Sequence, residues 1–533
     1  MTTSAAATGP AGTWFGAHLT SAAAEAGSRV ALVYQGSSWT YAELTQWIGR
    51  AGRSLAARGV RRGDRVIMAG APRPEAITAM FAVIRLGAIL IPVHPQLTVS
   101  ELAVVSEETS PRAVIGDEAW QQWPDSNRAG ILHVTWDELT PTALPAQEDL
   151  ARHEQSVDAP AGTELAIIAL TSGTSGRPKA AALTHDNLRW GMANALSRLP
   201  VGSDDVILIA TPLAHVAVLA GLPQYTWARH GTVVLAPRFQ PDLFIDLVRD
   251  HGVTAAFAVP AMLALLAGHP RFDTPDLDSL RWVLAGGAPA LSPATTRFLG
   301  RGIGVINSYG LTEASAGVTY AAPDEVASLP ASAGRPVPHV ELRIADESGL
   351  PVPAGQAGEI WLRGPSVASW YWTRAGLHPA TDADGWFRTG DRGRRDPDGR
   401  LEVIGRAKDT IITGGENVDP AEVENALTDL PGLREVAVCG TPDPLWGELV
   451  TAVIVGGPPG PSLDDIRAHL EGRLAKHKWP RRFMIVDALP RGATGKLQRR
   501  QLASLLGHHR NPQPGAGRTG DNPTPTRTPE ERP

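Results

Sequence analysis

The chain has 533 residues, of which 43% are hydrophobic and 20% are charged, and its formal net charge is −6. This composition is typical of a globular protein, and the length exceeds what one hydrophobic core supports, so we expect at least two domains. The arginines are spread along the sequence rather than gathered into a basic stripe, which argues against a nucleic-acid partner.

The cysteine content and the N-terminus favour a cytoplasmic protein without a membrane span. Cys439 is the single cysteine, which excludes an intrachain disulfide, and its place in the alternating stretch "REVAVCG" predicts a buried strand residue. The start "MTTSAAATGPAGTWFG" has neither the basic residues nor the apolar run of a signal peptide. The longest apolar stretch, residues 76–93, is interrupted by Arg85 and Gly87, which predicts a core helix leading into a strand.

Two long regions alternate helical patterns with short apolar strands. Residues 39–110 contain the helical pattern "TYAELTQWIGRAGRSLAARGV" and the strand-like "DRVIMAG" and "AILIPV". A polar stretch at 141–163 predicts a surface connection, and the alternation returns at 164–320 with "LAIIA", "VILIATPL", "TVVLAP", "PDLFIDLVRDHG", "TAAFAVP", "RWVLAGG" and "GVINSYG". The rhythm predicts layered α/β subdomains, each a sheet covered by helices.

Beyond residue 340 the helical patterns give way to β-like segments with Gly, Pro and Asp turns, which predicts a β-rich subdomain. A compact α+β pattern follows, and the last stretch is almost free of large apolar residues. We therefore predict a flexible N-terminus (1–14), a large α/β N-terminal domain (15–404), a hinge (405–409), a small α+β C-terminal domain (410–507) and a disordered tail (508–533).

The sharpest local signal is "LTSGTSGRPKA", residues 170–180, which follows the strand "LAIIA". Hydroxyls and glycines at this spacing let backbone N–H groups and side-chain donors converge on a phosphate, to which a lysine adds a mobile positive charge. The stretch differs from the Walker loop because Gly176 is followed by Arg-Pro-Lys. The predicted phosphate-binding residues are Thr171, Ser172, Gly173, Thr174, Ser175, Gly176 and Lys179.

This loop, with "THDNL" behind it, resembles the phosphate loop of the adenylate-forming superfamily of acyl-CoA synthetases, adenylation domains and luciferases. Further motifs occur in that family's order: "NSYGLTEAS" (307–315), "GEIWLRG" (358–364), "GWFRTGD" (385–391), "GRAKDTIITGGENVDPAEVE" (405–424) and "RGATGKLQRR". The resemblance covers residues 15–507 and implies a C-terminal lid domain that moves between two half-reactions.

The resemblance implies a nucleotide site. Tyr309 offers an aromatic face for adenine, Asp391 matches the carboxylate that accepts the ribose hydroxyls, and Arg406 lies near the same sugar. Thr312 and Glu313 offer hard oxygens that suit Mg²⁺ on the triphosphate. The other residues implied for ATP or AMP binding are Gly287, Ala288, Pro289, Ser308, Gly310 and Leu311, together with Lys496.

The resemblance also implies a catalytic set, an acyl pocket, a CoA site and a hinge. Lys496, Thr174 and Glu313 match the catalytic positions, and Lys408 matches the hinge. His215, Gly286 and Gly310 border the acyl pocket, and Gly414, Gly415 and Glu416 lie where the family binds CoA. A histidine on an apolar stretch is equally consistent with a structural role, and glycines occur in any tight turn. The histidine and cysteine spacings predict no protein-bound zinc site.

Several positions indicate the branch of the family. Ala258 stands where adenylation domains for amino acids carry an aspartate, so an α-amino acid substrate is not expected. "FAVP" and "GGENVDPAEVE" resemble acyl- and aryl-CoA ligases such as the medium-chain acyl, 4-coumarate and succinylbenzoate CoA ligases. Ala180 and Ser369 replace usual glycines of the family pattern. The apolar pocket segments favour an aryl or medium-chain acyl acid.

The expected activity is that of an ATP-dependent carboxylic acid–CoA ligase, which forms an acyl-adenylate with release of pyrophosphate and then a thioester with release of AMP. Two alternatives stay open: loading of a carrier-protein phosphopantetheine, and a non-catalytic nucleotide-binding protein. The chain has only 5 lysines among its 49 basic residues. Because three of them are Lys179, Lys408 and Lys496, these sites are predicted to need the slender lysine side chain as well as its charge.

Overall fold

The computed structural model describes residues 14–117, 130–139, 159–171, 179–286, 293–346, 348–406, 411–418, 420–427, 429–456, 460–490 and 502. Within these ranges, no helix is long and apolar enough to cross a membrane. The described residues form three sheets up to residue 406 and a fourth sheet from residue 411 onward.

The helices before residue 330 are amphipathic or buried, and several begin at a side-chain cap. Thr40 caps the second helix by accepting a hydrogen bond from the backbone N–H of Glu43, whose carboxylate accepts one in return. The helices are Ala17–Ala26 (α1), Tyr41–Ala57 (α2), Pro74–Arg85 (α3), Val99–Thr109 (α4), Trp136–Leu139 (α5), His185–Leu196 (α6), Val216–Leu219 (α7), Leu222–Trp227 (α8), Pro241–His251 (α9), Pro260–Ala267 (α10), Pro293–Gly300 (α11) and Pro323–Ser328 (α12).

A nine-stranded sheet lies at the centre of the N-terminal part, in the order β15-β14-β13-β12-β11-β9-β10-β1-β2. Its six inner strands, from β13 to β1, pair in parallel and are nearly continuous apolar runs, as expected for strands covered on both faces. The strands are Val30–Tyr34 (β1), Ser37–Thr40 (β2), Val206–Ile209 (β9), Thr232–Leu235 (β10), Ala255–Ala258 (β11), Trp282–Gly286 (β12), Gly304–Leu311 (β13), Ala316–Ala321 (β14) and Arg335–Pro336 (β15).

An eight-stranded sheet, in the order β19-β18-β8-β7-β4-β3-β5-β6, packs against the first across a shared hydrophobic core. Its strands are Arg65–Ala69 (β3), Ile89–Val93 (β4), Ala113–Gly116 (β5), Leu132–Thr135 (β6), Leu165–Thr171 (β7), Lys179–Thr184 (β8), Trp370–Thr373 (β18) and Gly376–Pro379 (β19). The β18–β19 hairpin joins this sheet through β8, although almost 190 residues separate the two segments in the sequence.

The third sheet forms the β-rich subdomain, in the order β16-β17-β20-β21 and antiparallel throughout. Its strands are Glu341–Ala345 (β16), Gly358–Arg363 (β17), Phe387–Arg395 (β20) and Leu401–Arg406 (β21). Between β20 and β21 the ladder pairs Asp391 directly with Arg406, which brings two of the predicted sugar-binding positions together in the backbone.

The C-terminal part has its own sheet and its own core, in which Val438, Val450 and Ile466 are fully buried. Cys439 is buried on the long strand β24, as predicted. The elements are Ile411–Thr413 (β22), Glu416–Val418 (β23), Pro420–Leu427 (α13), Leu433–Asp443 (β24), Gly447–Gly456 (β25), Leu463–Leu470 (α14) and Arg482–Ile485 (β26).

The architecture confirms the predicted fold class of layered α/β subdomains, a β-rich subdomain and a separate α+β C-terminal unit. The predicted core helix and strand at residues 76–93 correspond to α3 and β4. The exact domain limits stay predictions, and most of the 141–163 connection and the whole 508–533 tail lie outside the described residues.

Candidate active site

A large cavity of about 2740 Å³ opens where the parallel strands of the nine-stranded sheet end and the C-terminal part meets them. The carboxyl ends of parallel strands are the usual ligand-binding edge of α/β sheets. Predicted site residues described in the structure line this one cavity: Thr171, Lys179, His215, Gly286, Ser308, Tyr309, Gly310, Leu311, Thr312, Glu313, Asp391, Gly414, Gly415 and Glu416. Segments far apart in the sequence therefore share one site.

Tyr309 and Asp391 form a hydrogen-bonded pair on this cavity. The Tyr309 hydroxyl donates to Asp391 Oδ2 at 2.8 Å, and Asp391 is 7% exposed. Tyr309 belongs to β13 and Asp391 to β20, so the pair fixes the β-rich subdomain against the end of the nine-stranded sheet. The arrangement presents an aromatic face and a carboxylate side by side, which suits a base and its sugar.

Glu313 lies in a small cluster with Tyr371 and Lys179. The Tyr371 hydroxyl donates to Glu313 Oε1 at 2.9 Å, and Lys179 Nζ lies 5.0 Å from the centroid of the Tyr371 ring. Burial, followed by the charge of Glu313, raises the pKa of Tyr371 well above its usual value, so the hydroxyl stays a donor. The carboxylate is thereby oriented toward the cavity, beside Thr312.

This cluster fits a magnesium site. Mg²⁺ takes oxygen ligands and is commonly held by one or two carboxylates plus substrate phosphates. Glu313 is 8% exposed, lines the cavity and is held by the Tyr371 hydroxyl, while the Lys179 ammonium nearby favours anionic phosphate groups.

The turn after Glu313 holds a strained backbone. Ser315 has φ 60° and Ala316 has φ 103°, both in the left-handed half of conformational space that non-glycine residues rarely adopt. Ser315 Oγ donates to the Ser366 carbonyl at 2.9 Å, which helps to hold the turn. A Cβ added to Gly310 would lie 2.0 Å from the Ala316 carbonyl oxygen, so glycine is required for the two strands to approach here.

The "ITGGENV" loop of the C-terminal part closes over the cavity from the other side. Gly414 and Gly415 have φ of 60° and 86°, which a tight turn of this kind needs. A Cβ on Gly415 would lie 2.6 Å from Val259 Cγ1 across the domain boundary, and one on Gly414 would meet the Trp446 ring at 2.7 Å. Both glycines are therefore needed for the close approach as well as for the turn.

Glu416 of this loop sits between two histidines of the N-terminal part. His215 Nε2 lies 3.1 Å from Glu416 Oε1, and His94 Nε2 lies 3.4 Å from the same oxygen. Burial lowers the pKa of His215, but the charge and hydrogen bond of Glu416 outweigh this effect and leave it raised. Burial would raise the pKa of Glu416, but the two histidines hold it far below its usual range.

These three groups have spacings that could hold a metal ion, although no zinc spacing is visible in the sequence. A further ring, His477, lies 4.9 Å from His94 between centroids. Burial lowers the pKa of His477 to about 3, so this ring is neutral near pH 7.

Lys478 forms a second ion-pair contact between the two parts of the chain. Its Nζ lies 2.5 Å from Glu101 Oε1 on α4 and 2.7 Å from Glu422 Oε1 on α13. The Lys478 and Glu101 side chains are 13% and 8% exposed, respectively. Burial lowers the pKa of Lys478, but the two carboxylates outweigh this and raise it, so the lysine stays charged.

Several predicted residues lie outside the described part of the chain. Arg406 is described in its backbone alone, through its pairing with Asp391. The remaining positions lie in ranges that the structure does not describe: Ser172, Gly173, Thr174, Ser175, Gly176, Gly287, Ala288, Pro289, Lys408 and Lys496.

Sequence reasoning missed Tyr371, His94 and the Lys478 contact. Tyr371 lies two residues after the departure at Ser369, on β18 of the β18–β19 hairpin. The rarity of lysine in this chain could have drawn attention to Lys478 as a functional position. His94 offers no comparable local signal, since the site residues that it contacts, His215 and Glu416, lie over 120 residues away.

Residues 19–372 match the family model described as AMP-binding enzyme, and residues 422–496 match the AMP-binding enzyme C-terminal domain. A feruloyl-CoA synthase from Amycolatopsis sp is 38% identical over 90% of this chain and 96% of its own length. An indoleacetate–CoA ligase from Aromatoleum aromaticum is 35% identical, over 88% and 93%. A fatty acid–[acyl-carrier-protein] ligase, ScoC, from Streptomyces coeruleorubidus is 32% identical, over 89% and 92%.

Two solved structures of one enzyme, with different bound molecules, superpose on this chain to different extents. An o-succinylbenzoate CoA synthetase double mutant from Bacillus subtilis, bound to its product analogue OSB-NCoA, matches with a TM-score of 0.82 at 31% identity, over 91% of this chain and 97% of that one. The same enzyme in complex with AMP covers the same shares at 31% identity but gives a TM-score of 0.67.

Proposed function

The chain belongs to the AMP-binding enzyme family and is an AMP-forming acid–CoA ligase, and we propose that its acid is an aromatic carboxylic acid. The observation that carries the proposal is the inner wall of the cavity, which is lined by Leu235, Phe257 and Leu284 and includes the bulky, nearly buried Tyr225 and Tyr320. Such a wall suits a flat ring better than a long flexible chain. Relatives at 38% and 35% identity that are named for aromatic acids support the same choice.

In the first half-reaction a carboxylate oxygen of the acid attacks the α-phosphorus of ATP, and the bond to the β-phosphate breaks as pyrophosphate leaves. Two anions must meet, so positive charge and donors have to be in place beforehand. We assign this role to Lys179, the 171–176 hydroxyl loop and Lys496. Mg²⁺, held by Glu313 with Thr312, supplies further positive charge to the phosphates when bound.

Tyr309 and Asp391 hold the nucleotide in this proposal. The adenine lies against the Tyr309 ring, and Asp391 accepts the ribose hydroxyls from a position fixed by the Tyr309 hydroxyl. We also assign to this sugar Arg406, whose backbone pairs with that of Asp391 in the ladder. Positioning of this kind is the main catalytic contribution that a protein makes to attack at phosphorus.

In the second half-reaction the CoA thiol loses its proton and attacks the acyl carbonyl, a C–S bond forms, and AMP leaves with the oxygen that linked it. We propose that the described domain orientation serves this step. Support comes from the Gly414–Glu416 loop against Val259 and His215, and from the higher TM-score with the product-analogue complex. Rotation about Lys408 would then withdraw this loop and bring Lys496 to the phosphates.

The test is a carboxylic-acid panel with ATP, Mg²⁺ and CoA, in which AMP and thioester are quantified by mass. We expect cinnamates, benzoates and arylacetates to give AMP and thioester in equal amounts, with octanoate and palmitate far slower. Omission of CoA is the control and should give one enzyme-bound acyl-adenylate without turnover. Faster reaction with the aliphatic acids would contradict the aromatic assignment.

A second candidate acceptor is the phosphopantetheine thiol of a carrier protein, because ScoC, a fatty acid–[acyl-carrier-protein] ligase, is 32% identical. Supplying each thiol at equal concentration to enzyme loaded with acyl-adenylate, and comparing the rates of thioester formation, distinguishes the two acceptors. We also propose a cytoplasmic location. It is supported by the single, buried Cys439, because a protein that forms no intrachain disulfide suits a reducing compartment.

A further inference from the structure

Two histidines of the N-terminal part and one carboxylate of the C-terminal part meet at the domain boundary. His94 follows β4, His215 immediately precedes α7, and Glu416 begins β23. The Nε2 atoms of His215 and His94 lie 3.1 Å and 3.4 Å from Glu416 Oε1, and the possible donor atoms of the three residues lie within 4.8 Å of one another. This convergence exceeds what an ion pair needs, because one protonated ring already neutralises the carboxylate.

The distances match the spacing of ligands around a four-coordinate metal ion. Zn–N bonds of about 2.0–2.1 Å and Zn–O bonds of about 2.0–2.2 Å place neighbouring ligands of a tetrahedron about 3.3–3.5 Å apart. The observed nitrogen–oxygen distances of 3.1 and 3.4 Å lie close to this range. Two imidazoles and one carboxylate form a ligand set that zinc uses with its fourth position left open. Mg²⁺ prefers oxygen ligands, so such a site discriminates against the Mg²⁺ that accompanies ATP.

The cluster is partly buried and is reachable from the cavity. The side chains of His94, His215 and Glu416 are 13%, 40% and 20% exposed, respectively. All three residues line the large cavity, and His477 lines it beside them. A metal ion can therefore enter from the cavity, and the ligands have already lost much of their hydration before it binds.

A fourth ring supplies an independent indication. His477 Nδ1 is buried and makes no hydrogen bond to any residue in the described ranges. Burial lowers the pKa of His477 to about 3, so the ring is neutral near pH 7, and its centroid lies 4.9 Å from that of His94. A buried ring nitrogen without a partner is unfavourable, and a water molecule on the open position of a metal ion would supply one.

We propose that His94, His215 and Glu416 bind one Zn²⁺ or a similar divalent transition-metal ion, which fastens the C-terminal part to the N-terminal part in the described orientation. The metal site itself does not depend on the ligase activity. Its consequence rests on the proposed function: an ion that holds this orientation inhibits adenylate formation, for which the C-terminal part has to rotate.

One contact limits the affinity for the metal ion. The Gln96 backbone N–H donates to His94 Nδ1 at 3.2 Å. When a metal ion takes the Nε2 lone pair, the ring proton resides on Nδ1, and this hydrogen bond is lost. Metal-binding histidines usually donate from their second nitrogen instead. We therefore expect weaker binding than at a structural zinc site, with a dissociation constant on the order of micromolar.

The experiment uses Co²⁺ as a spectroscopic substitute for Zn²⁺, added to the chelator-treated full chain with excess Mg²⁺ and without nucleotide. Four-coordinate Co²⁺ absorbs visible light strongly and six-coordinate Co²⁺ absorbs it weakly, so the spectrum distinguishes this site from binding by oxygen ligands at Glu313. We expect one strongly absorbing Co²⁺ per chain, displaced by one Zn²⁺. His94→Asn and Glu416→Gln, one variant in each part of the chain, should each weaken binding at least about tenfold.

His469→Asn is the matched control, because His469 Nε2 also contacts a carboxylate, that of Asp429 at 2.9 Å, away from the cavity. It should leave the spectrum and the affinity unchanged. Zn²⁺ should also slow hydrogen–deuterium exchange of residues 411–418 in wild type, and EDTA should reverse this effect.

A weak, six-coordinate spectrum in wild type, or wild-type affinity in either His94→Asn or Glu416→Gln, would overturn the site. Metal binding without slower exchange in residues 411–418 would overturn its fastening role. Intact metal binding in a protein that activates no carboxylic acid would overturn the proposed function alone.

Discussion

The Lys478 contact makes a quantitative prediction about domain orientation. Lys478 belongs to the C-terminal part, and its ammonium joins Glu422 of the same part to Glu101 of the N-terminal part. A further contact, from Thr98 Oγ1 to the Arg473 carbonyl at 3.3 Å, lies in the same patch. If the C-terminal part rotates between half-reactions, this patch exists in the described orientation and is lost in the other.

The perturbation is Lys478→Met, which keeps a long unbranched side chain and removes its charge. Removing one partner of a buried ion pair costs about 3–5 kcal/mol, because the other charge is left buried. Glu101 regains water when the domains separate, whereas the pairing with Glu422 lies within one part and is lost in both orientations. We therefore expect Lys478→Met to destabilise the described orientation, called closed below, by roughly 2–3 kcal/mol relative to the rotated one. This lowers the ratio of closed to rotated molecules by a factor of about 30 to 150.

Two half-reactions measure this shift. Single-turnover thioester formation from synthetic acyl-adenylate and CoA should slow by about tenfold or more in Lys478→Met, because it needs the closed orientation. Acid-dependent ATP–pyrophosphate exchange should keep its wild-type rate or increase slightly. Lys476→Met is the matched control, since Lys476 is exposed two residues away and should change neither reaction.

Three results would refute the reasoning. One is a parallel loss of both half-reactions in Lys478→Met, which would indicate general destabilisation. Another is an unchanged thioester rate, which would mean that the ion pair contributes nothing to the closed orientation. The third is an equal effect of Lys476→Met.

Further predictions follow from the same interface and from the lysine positions. Lys496→Ala should abolish pyrophosphate release yet still convert synthetic acyl-adenylate to thioester, and Lys496→Arg should lose most of the adenylation rate; near-normal adenylation by the arginine variant would mean that charge alone suffices. The His215–Glu416 contact should stabilise the closed orientation most between about pH 4.5 and 6.5. It weakens as pH rises through the raised pKa of His215, or as pH falls toward the lowered pKa of Glu416. Interdomain fluorescence transfer should show this pH profile, and His215→Gln should flatten it. Gly415→Ala should slow thioester formation about tenfold or more, whereas ATP–pyrophosphate exchange should persist. The reasons are that a φ of 86° is unfavourable for alanine and that the added Cβ would clash with Val259 in the closed orientation.

Much of the site was predictable because its residues come in short motifs with fixed local chemistry. Tyr309, Thr312 and Glu313 lie within five residues at one strand end, and the resemblance to the family predicts a base and phosphates beside them. The contacts that hold them were not predictable. Tyr371, which orients Glu313, is 58 residues away and follows a stretch that departs from the family pattern.

The interface between the N-terminal and C-terminal parts shows most clearly which contacts the sequence cannot predict. Lys478 and Glu101 are 377 residues apart, and Glu416 and His215 are 201 apart. No local pattern relates such positions, and their pairing depends on how one domain docks on the other. The scarcity of lysine in the sequence marks Lys478 as unusual, but it does not indicate which residues Lys478 contacts.

The sequence by itself determined the family, the α/β class and the order of the motifs, because hydrophobic periodicity and motif spacing are encoded locally. The tertiary structure alone decided which carboxylates neutralise Lys478 and which histidines surround Glu416. These features depend on burial and on distances of a few ångströms between remote segments. Such distances, rather than residue types, set the pKa values and the pairing energies of the site.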